Sequence, residues 1–390
     1  MNSMLDGESP AIADRVLTVG EGGRVRVDGL PPAAGDGVGR ALARLVVPEL
    51  AADAPERGID VDQTNTSVIV GDRVIVKIVG EWAAADRSAV LLERLAAADV
   101  AGVDRLRGRV QWRHPQFGTS TLAIVTDFQD GVTDGWTWAV GDVQACIDGG
   151  VEPTWPAVLG AHTARLHDVL GADAAPAERD APARRAARAS DALDRALAAT
   201  AGDAGARLSN RREALAGGIR SLEHTAPGRE FPIHGDLHVG QVLASPRDDG
   251  DRRYTIIDFD GDPQLSVEER GRADAAARDV AHLLVSLDLV AAVAQKYARR
   301  VDEAAWAWAD RARAALLDAY RETLERAELF DEALLPGFEA EQLAAELHYA
   351  DRFLPAWRYA PDAAITHRYP SSHAHPEVPW TPPPFAPTSS

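Results

Sequence analysis

Between Phe231 and Asp260 the chain reads FPIHGDLHVGQVLASPRDDGDRRYTIIDFD, and no other stretch constrains the fold so tightly. Ile233 precedes a turn at His234-Gly235-Asp236, and Val239 to Leu243 is a short apolar run. Ser245 to Arg253 is polar with Pro and Gly, and Tyr254 to Phe259 is rich in β-forming residues. The pattern predicts a hairpin with an acid at each base. Folding it back brings Asp236, Gln241 and Asp258 towards one another. One carboxylate could then accept a hydroxyl proton, while an amide oxygen and a second carboxylate suit a hard cation. Mg2+-dependent phosphoryl transfer needs these parts, because its catalysis is mostly positioning plus charge neutralisation.

The nucleotide side of such a reaction needs a cation, and the chain is sparing with lysine. Of 41 basic residues only Lys77 and Lys296 are lysines. Lys77 lies inside VIVKIV, a β-branched run that follows Ser67-Val68-Ile69-Val70 across a Gly71-Asp72 turn, a good hairpin signal. A strand lysine with apolar neighbours costs desolvation unless its ammonium meets an anion, and phosphates supply one. Glu93, sixteen residues on and on the flank of a predicted helix from Asp86 to Ala98, is the expected ion-pair partner. That helix should turn Val90, Leu91, Leu95 and Ala98 to one face. The alternative is that Lys77 points to solvent and Glu93 is a surface acid. Asp62 to Ser67, including Thr66 and Ser67, forms a polar turn whose amides and hydroxyls could cover phosphates without a glycine-rich cradle.

These pieces divide the chain into a Gly/Pro/Ala-rich cap over 1–57, with a β-like piece at Arg24 to Val27 and a helical one at Val38 to Leu50, a β-rich lobe over 58–132 and a helical lobe over 133–390. Val110 to Trp112 and Thr121 to Phe128 read as further strands of the small lobe, and Gly131 to Gly135 as a linker. Helical spacing then runs from Trp155 to Leu170, and continues near 183–200, 207–223, 274–296, 302–328 and 338–354. From Pro355 prolines and aromatics accumulate, and Pro376 to Ser390 is too Pro-rich for regular structure.

Composition removes several function classes. A net charge of −19 argues against nucleic acid, whose phosphates need a basic surface, and mildly favours a cationic substrate. No apolar run approaches the roughly 18 residues of a membrane span. The N-terminus lacks the basic and apolar regions of a signal peptide, which points to the cytoplasm. The single cysteine, Cys146, excludes an internal disulfide. His234-x-Asp236-x-His238 admits a hydrolase metal site, but the other histidines form no second spaced pair. Arg278-Asp279 reads either as a helix-opening pair or as a brace for the catalytic loop. Trp136, Trp138, Trp306 and Trp308 read as packing residues.

HGDLHVGQVL and IIDFDGDP together resemble the two signatures of the aminoglycoside phosphotransferase-like kinases, distant relatives of protein kinases. RDVA at Arg278 to Ala281 and ELHYADRFLPAWRYAP at Glu346 to Pro361 are most similar to the actinobacterial glucosamine kinases and maltokinases of that family. The resemblance covers roughly residues 60 to 360. It implies a bilobal α+β fold, ATP as donor and Mg2+ as cofactor. It further implies Asp236 as catalytic base, Gln241 and Asp258 as metal ligands, and Lys77 on the ATP phosphates with Glu93 beside it. Thr126, Asp127 and Phe128 would be the adenine hinge. Asp236, His238, Glu346, Tyr349, Arg352 and Trp357 would line the acceptor pocket, where an aromatic face suits a sugar ring and a carboxylate suits hydroxyl or ammonium groups. Glucosamine, phosphorylated at its 6-hydroxyl, is the expected acceptor, with maltose or an aminoglycoside as alternatives. A nucleotide-binding pseudokinase is the competing class, against which the joint presence of Lys77, Asp236, Gln241 and Asp258 argues. The expected partner is a small sugar or aminosugar, in a monomer or weak homodimer.

Overall fold

The Gly71-Asp72 turn has left-handed backbone at both positions, φ 60° and 51°, the geometry that joins two strands with their native twist. It pairs Thr66–Val70 with Val74–Ile78, setting Ser67 opposite Lys77. The computed structural model describes residues 2–59, 65–82, 86–224, 228–246, 251–299, 301–372 and 378–383. These form two compact units, Met1–Val132 with Leu243–Gly271 and Thr133–Val242 with Arg272–Ser390, and the fold is α+β.

In the first unit a six-stranded sheet runs in the order Ser3–Asp6, Leu106–His114, Gly118–Asp127, Val74–Ile78, Thr66–Val70 and Glu56–Gly58. The first pair is parallel and the others are antiparallel. Segments 1–57 and 58–132 therefore share one sheet. Along the lysine strand Val74, Val76 and Ile78 are buried, with Ile75 and Lys77 on the opposite face, as a period of two requires. The buried side joins Val38, Leu42 and Val46 of the helix Val38–Val46 and Trp112 in one core.

The helix Asp86–Ala97 docks through Asp86, which accepts from the Thr121 N–H at 2.7 Å. Its buried face is Leu91, Leu92 and Leu95, while Val90 is 46% exposed and Ala98 lies at the exposed end. The apolar stripe is therefore rotated from the expected one. The hairpin strands are Val242–Pro246 and Arg252–Ile256. The start of the apolar run, Val239–Gln241, is instead a single 3-10 turn. Backbone bonds from Asp104 N to Ile256 O and from Ile256 N to Gly102 O tie the second strand to the segment before Leu106.

The second unit is helical around Ala276–Ala298, which is buried on every side from Ala276 to Gln295, as a core helix is. Its buried Asp288 meets Arg313 and Arg368 from the helices Glu303–Thr323 and Tyr359–Arg368. Two helices of this unit, among the described residues, escaped the sequence reading. Gly135–Ile147 begins inside the supposed linker, where the Asp134 side chain caps Thr137 N. Tyr359–Arg368 tolerates Pro361 because a proline in the first turn forfeits no helical hydrogen bond. Among the described residues no helix is long and apolar enough to cross a membrane.

Candidate active site

In the first unit the Lys77 ammonium is clasped by two carboxylates, Asp258 Oδ1 at 2.8 Å and Asp260 Oδ2 at 2.7 Å. Burial works against its charge, but Asp260 and Asp258 outweigh it and hold the ammonium above the usual lysine range. The expected Lys77–Glu93 pair does not form. Glu93 sits on the far flank of its helix, where it pairs with Arg109 at 3.0 Å and accepts from Asn2. Asp260 thus occupies the place expected of Glu93. Asn65 also donates to Asp260, at 3.0 Å, so the end of the polar turn is tied to the same acid. Asp62 to Thr64 lie outside the described residues. Thr66 Oγ1 donates to Pro32 O, and Ser67 faces Lys77 across the ladder.

Asp258 adopts a left-handed backbone, φ 62°, a strained state for a non-glycine residue that recurs at functional sites. Arg87, in the first turn of its helix, donates to Phe259 O between the two acids. At the stretch expected to be the adenine hinge, Thr126 is buried, Asp127 N donates to Arg105 O and Phe128 N to Arg73 O. Arg107 takes the Asp127 carboxylate and Arg57 lies over the Phe128 ring. These two backbone donors are therefore committed to the protein. Nearby, burial lifts the Asp104 carboxyl to about 6, against the Thr126 hydroxyl and the Arg105 amide that favour its charge.

In the second unit the His234-Gly235-Asp236 turn is held from below. Asp279, fully buried, accepts from the N–H groups of His234 and Gly235, both at 2.7 Å, and meets His167 Nε2 at 3.1 Å. Burial alone would neutralise Asp279, yet the His167 hydrogen bond and the neighbouring imidazoles keep its pKa well below the usual carboxylate range. His167 Nδ1 is in turn 2.8 Å from the Tyr320 hydroxyl. Of the two roles weighed for Asp279, the brace is the one its geometry provides.

Gly235 takes φ 86°, which turns Asp236 out of the core into a partly exposed position. His234 is fully buried and its Nδ1 accepts from Asp236 N. His238 Nδ1 accepts from Gly240 N at 3.0 Å, with Nε2 3.9 Å from Asp236 Oδ2. Both imidazoles are thus folded into the loop. Among the described residues no three His, Cys, Asp or Glu side chains group as metal ligands. Gln241 ends the 3-10 turn, its N–H bonded to His238 O.

The C-terminal candidates divide. Glu346 accepts from Gln342 on the helix Leu335–Phe353. Tyr349 packs on Phe353, and Arg352 lies over the exposed Phe353 ring. Trp357 turns inward onto Trp136, edge to face with ring centroids 4.9 Å apart, and Trp136 in turn stacks on His238. Sequence reasoning treated Trp136 as packing and passed over Asp260, His167 and Tyr320. Asp260 alone left a signal, as the second acid of the DFD triplet.

No protein-family model matches the chain. The curated glucosamine kinase of Streptacidiphilus jiangxiensis is 37% identical over 329 residues, covering 80% of this chain and 73% of that protein. The one from Mycolicibacterium smegmatis (strain ATCC 700084 / mc(2)155) is 37% identical over 320 residues, covering 80% and 78%. Among solved structures, a glucosamine kinase in complex with glucosamine, ADP and inorganic phosphate matches with a TM-score of 0.74 at 32% identity, over 91% of this chain and 87% of its own. A glucosamine kinase in crystal form B matches with a TM-score of 0.77 at 30% identity, over 91% of each chain.

Proposed function

Because the chain belongs to the glucosamine kinases of the aminoglycoside phosphotransferase-like family, we propose that it transfers the γ-phosphate of ATP to the 6-hydroxyl of D-glucosamine. The observation that carries this is the 37% identity to two curated glucosamine kinases over 80% of the chain. The related structure that holds glucosamine and ADP supports a sugar hydroxyl as acceptor and ATP as donor.

In this reading Asp236 is the general base. Its carboxylate takes the hydroxyl proton as the sugar oxygen bonds to the γ-phosphorus and the bond to ADP breaks. Asp279 fixes the turn that presents it. Lys77 binds the phosphates, exchanging its carboxylate partners for phosphate oxygens, and Thr126 to Phe128 border the adenine. Glu93 supports its helix through Arg109 rather than through Lys77. His238, Glu346, Tyr349, Arg352 and Trp357 line the acceptor side.

Asp258 and Gln241 are oxygen donors of the kind a hard cation takes, and Asp260 Oδ1 is buried with no hydrogen-bond partner among the described residues. The chemistry of these oxygen donors suits Mg2+, which when bound would neutralise charge on the ATP phosphates. The cap over 1–57, the nucleotide lobe over 58–132 and the helical lobe over 133–390 are its functional parts. It acts as a monomer or weak homodimer, a state that light scattering would report. A coupled ADP-release assay over glucosamine, glucose, maltose and kanamycin tests the substrate. Best turnover with glucosamine is expected; best turnover with maltose would overturn the acceptor while leaving a kinase.

A further inference from the structure

We propose that Trp136 is a specificity-determining residue of the acceptor site. Its indole, with the rings of Trp357 and His238, forms an aromatic wall beside Asp236 on which the apolar face of a pyranose packs. The inference rests on the sugar-kinase reading and adds a residue that the acceptor signature around Glu346 to Pro361 does not contain.

The geometry starts from Gly135. A Cβ placed there would lie 1.6 Å from Val239 O, so only glycine lets the start of the helix Gly135–Ile147 press its backbone against the catalytic loop. The next residue, Trp136, is thereby held at that loop. Its ring stacks on His238 with centroids 6.0 Å apart and planes inclined by 28°. It meets Trp357 edge to face, at 4.9 Å and 72°. Gly240 keeps the corner open, since a Cβ there would stand 2.7 Å from Trp136 Nε1 and 2.6 Å from His238 Cε1. The His238 ring is fixed by the bond it accepts from Gly240 N, and its other nitrogen is 3.9 Å from the Asp236 carboxylate. Trp136 thus joins the loop that carries the proposed base to the segment that carries Trp357.

Exposure separates this wall from packing. Trp138, Trp155 and Trp308, from the same unit, are 4%, 1% and 1% exposed, as core tryptophans are. Trp136, His238 and Trp357 each remain partly open to solvent. Trp136 touches both of the other rings, and the three keep accessible surface near a carboxylate that His238 approaches, which makes them an amphipathic wall. Hexose rings present C–H groups on one face and hydroxyls at the rim, so such a wall binds the face while polar groups read the rim.

Steady-state kinetics of Trp136→Ala and Trp136→Phe, with a glucosamine titration of intrinsic fluorescence, test the assignment. Trp136→Ala is expected to raise KM for glucosamine about tenfold, the scale of one lost aromatic contact, with KM for ATP within about twofold. Trp136→Phe should restore most of the glucosamine affinity while losing most of the glucosamine-dependent fluorescence change. A glucosamine KM within twofold of the parent in Trp136→Ala, or a loss confined to kcat or to ATP, would overturn the assignment. If Trp136→Ala does not fold, Trp136→Leu replaces it, keeping apolar volume without a ring, and the same two outcomes decide. A parent protein that turns over ATP with another sugar and not with glucosamine would refute the substrate reading instead.

Discussion

Asp260 Oδ2 stands 2.7 Å from Lys77 Nζ, across 183 positions of sequence, while Asp258 Oδ1 holds the same ammonium at 2.8 Å. The two acids have separable duties, because Asp260 is the more buried and also binds Asn65 at the polar turn. Asp260→Asn leaves the hydrogen bonding sterically possible but removes a charge. We expect KM for ATP to rise about fivefold to tenfold with glucosamine KM unchanged, whereas Asp258→Asn should abolish most turnover by removing the proposed metal ligand.

Replacing the proposed base isolates chemistry from binding. Asp236→Asn should lower kcat by about 10²- to 10⁴-fold, the contribution of a positioned general base. Dissociation constants for ATP and glucosamine, read by calorimetry, should stay within a few-fold. Unchanged phosphoryl transfer would remove Asp236 from the role.

Gly135→Ala is the sharpest steric test. The added methyl would lie 1.6 Å from a backbone oxygen, a contact that only a shift of the loop or helix relieves. The variant should be destabilised by about 2–4 kcal/mol, as overpacked and strained sites are. In whatever folds, activity should fall more than ATP affinity. Thermal unfolding and kcat at a temperature where the variant remains folded give the two readings.

The buried Asp279 accepts two backbone N–H groups and meets His167. Asp279→Ala strands all three, and a loss of about 3 kcal/mol or more is expected in denaturant unfolding. Its folded pKa lies below the unfolded value, so its contribution is complete above about pH 4 and fades as pH falls towards the folded pKa. The destabilisation should therefore be constant across pH 6–8.

Asp104 carries the opposite sign. Its carboxyl titrates at about 6 in the folded protein, above an ordinary aspartate near ~4. The unfolded chain releases this proton first, so the stability it contributes is full below about pH 4 and is lost as pH rises through 6. Asp104→Asn should stabilise the protein by about 1–2 kcal/mol at pH 7.5 and by almost nothing at pH 4. A melting curve of each protein at both pH values checks the sign.

What the sequence made legible was local. The hairpin, the Gly71-Asp72 turn and a lysine set in an apolar strand follow from patterns a few residues wide, and the structure keeps all three. The partner of Lys77 was not legible, because sixteen residues of separation cannot determine which of several acids a helix flank presents. Rotation of that helix by one position sent Glu93 to Arg109, and Asp260 arrived from a distant strand end. Trp136 and Trp138 both pack, as read, but residues two apart on a helix point to different faces, so Trp138 is core while Trp136 keeps partial exposure against His238 and Trp357. The brace from Asp279 to Tyr320 spans three helices and leaves no local pattern, although one of its two candidate readings was available from Arg278-Asp279.

The strand Ser3–Asp6 pairs in parallel with Leu106–His114 at the rim of the six-stranded sheet, and Ser3 Oγ donates to Leu45 O at 2.7 Å. A nine-residue strand stripped of this neighbour would present a long row of free amides and carbonyls, a template for strands of other molecules. With only four residues of Ser3–Asp6 paired to it, the sheet ends instead in a short edge strand, a poorer template than the nine-residue one. A version trimmed to start after Asp6 should retain its catalytic groups and yet clump on concentration.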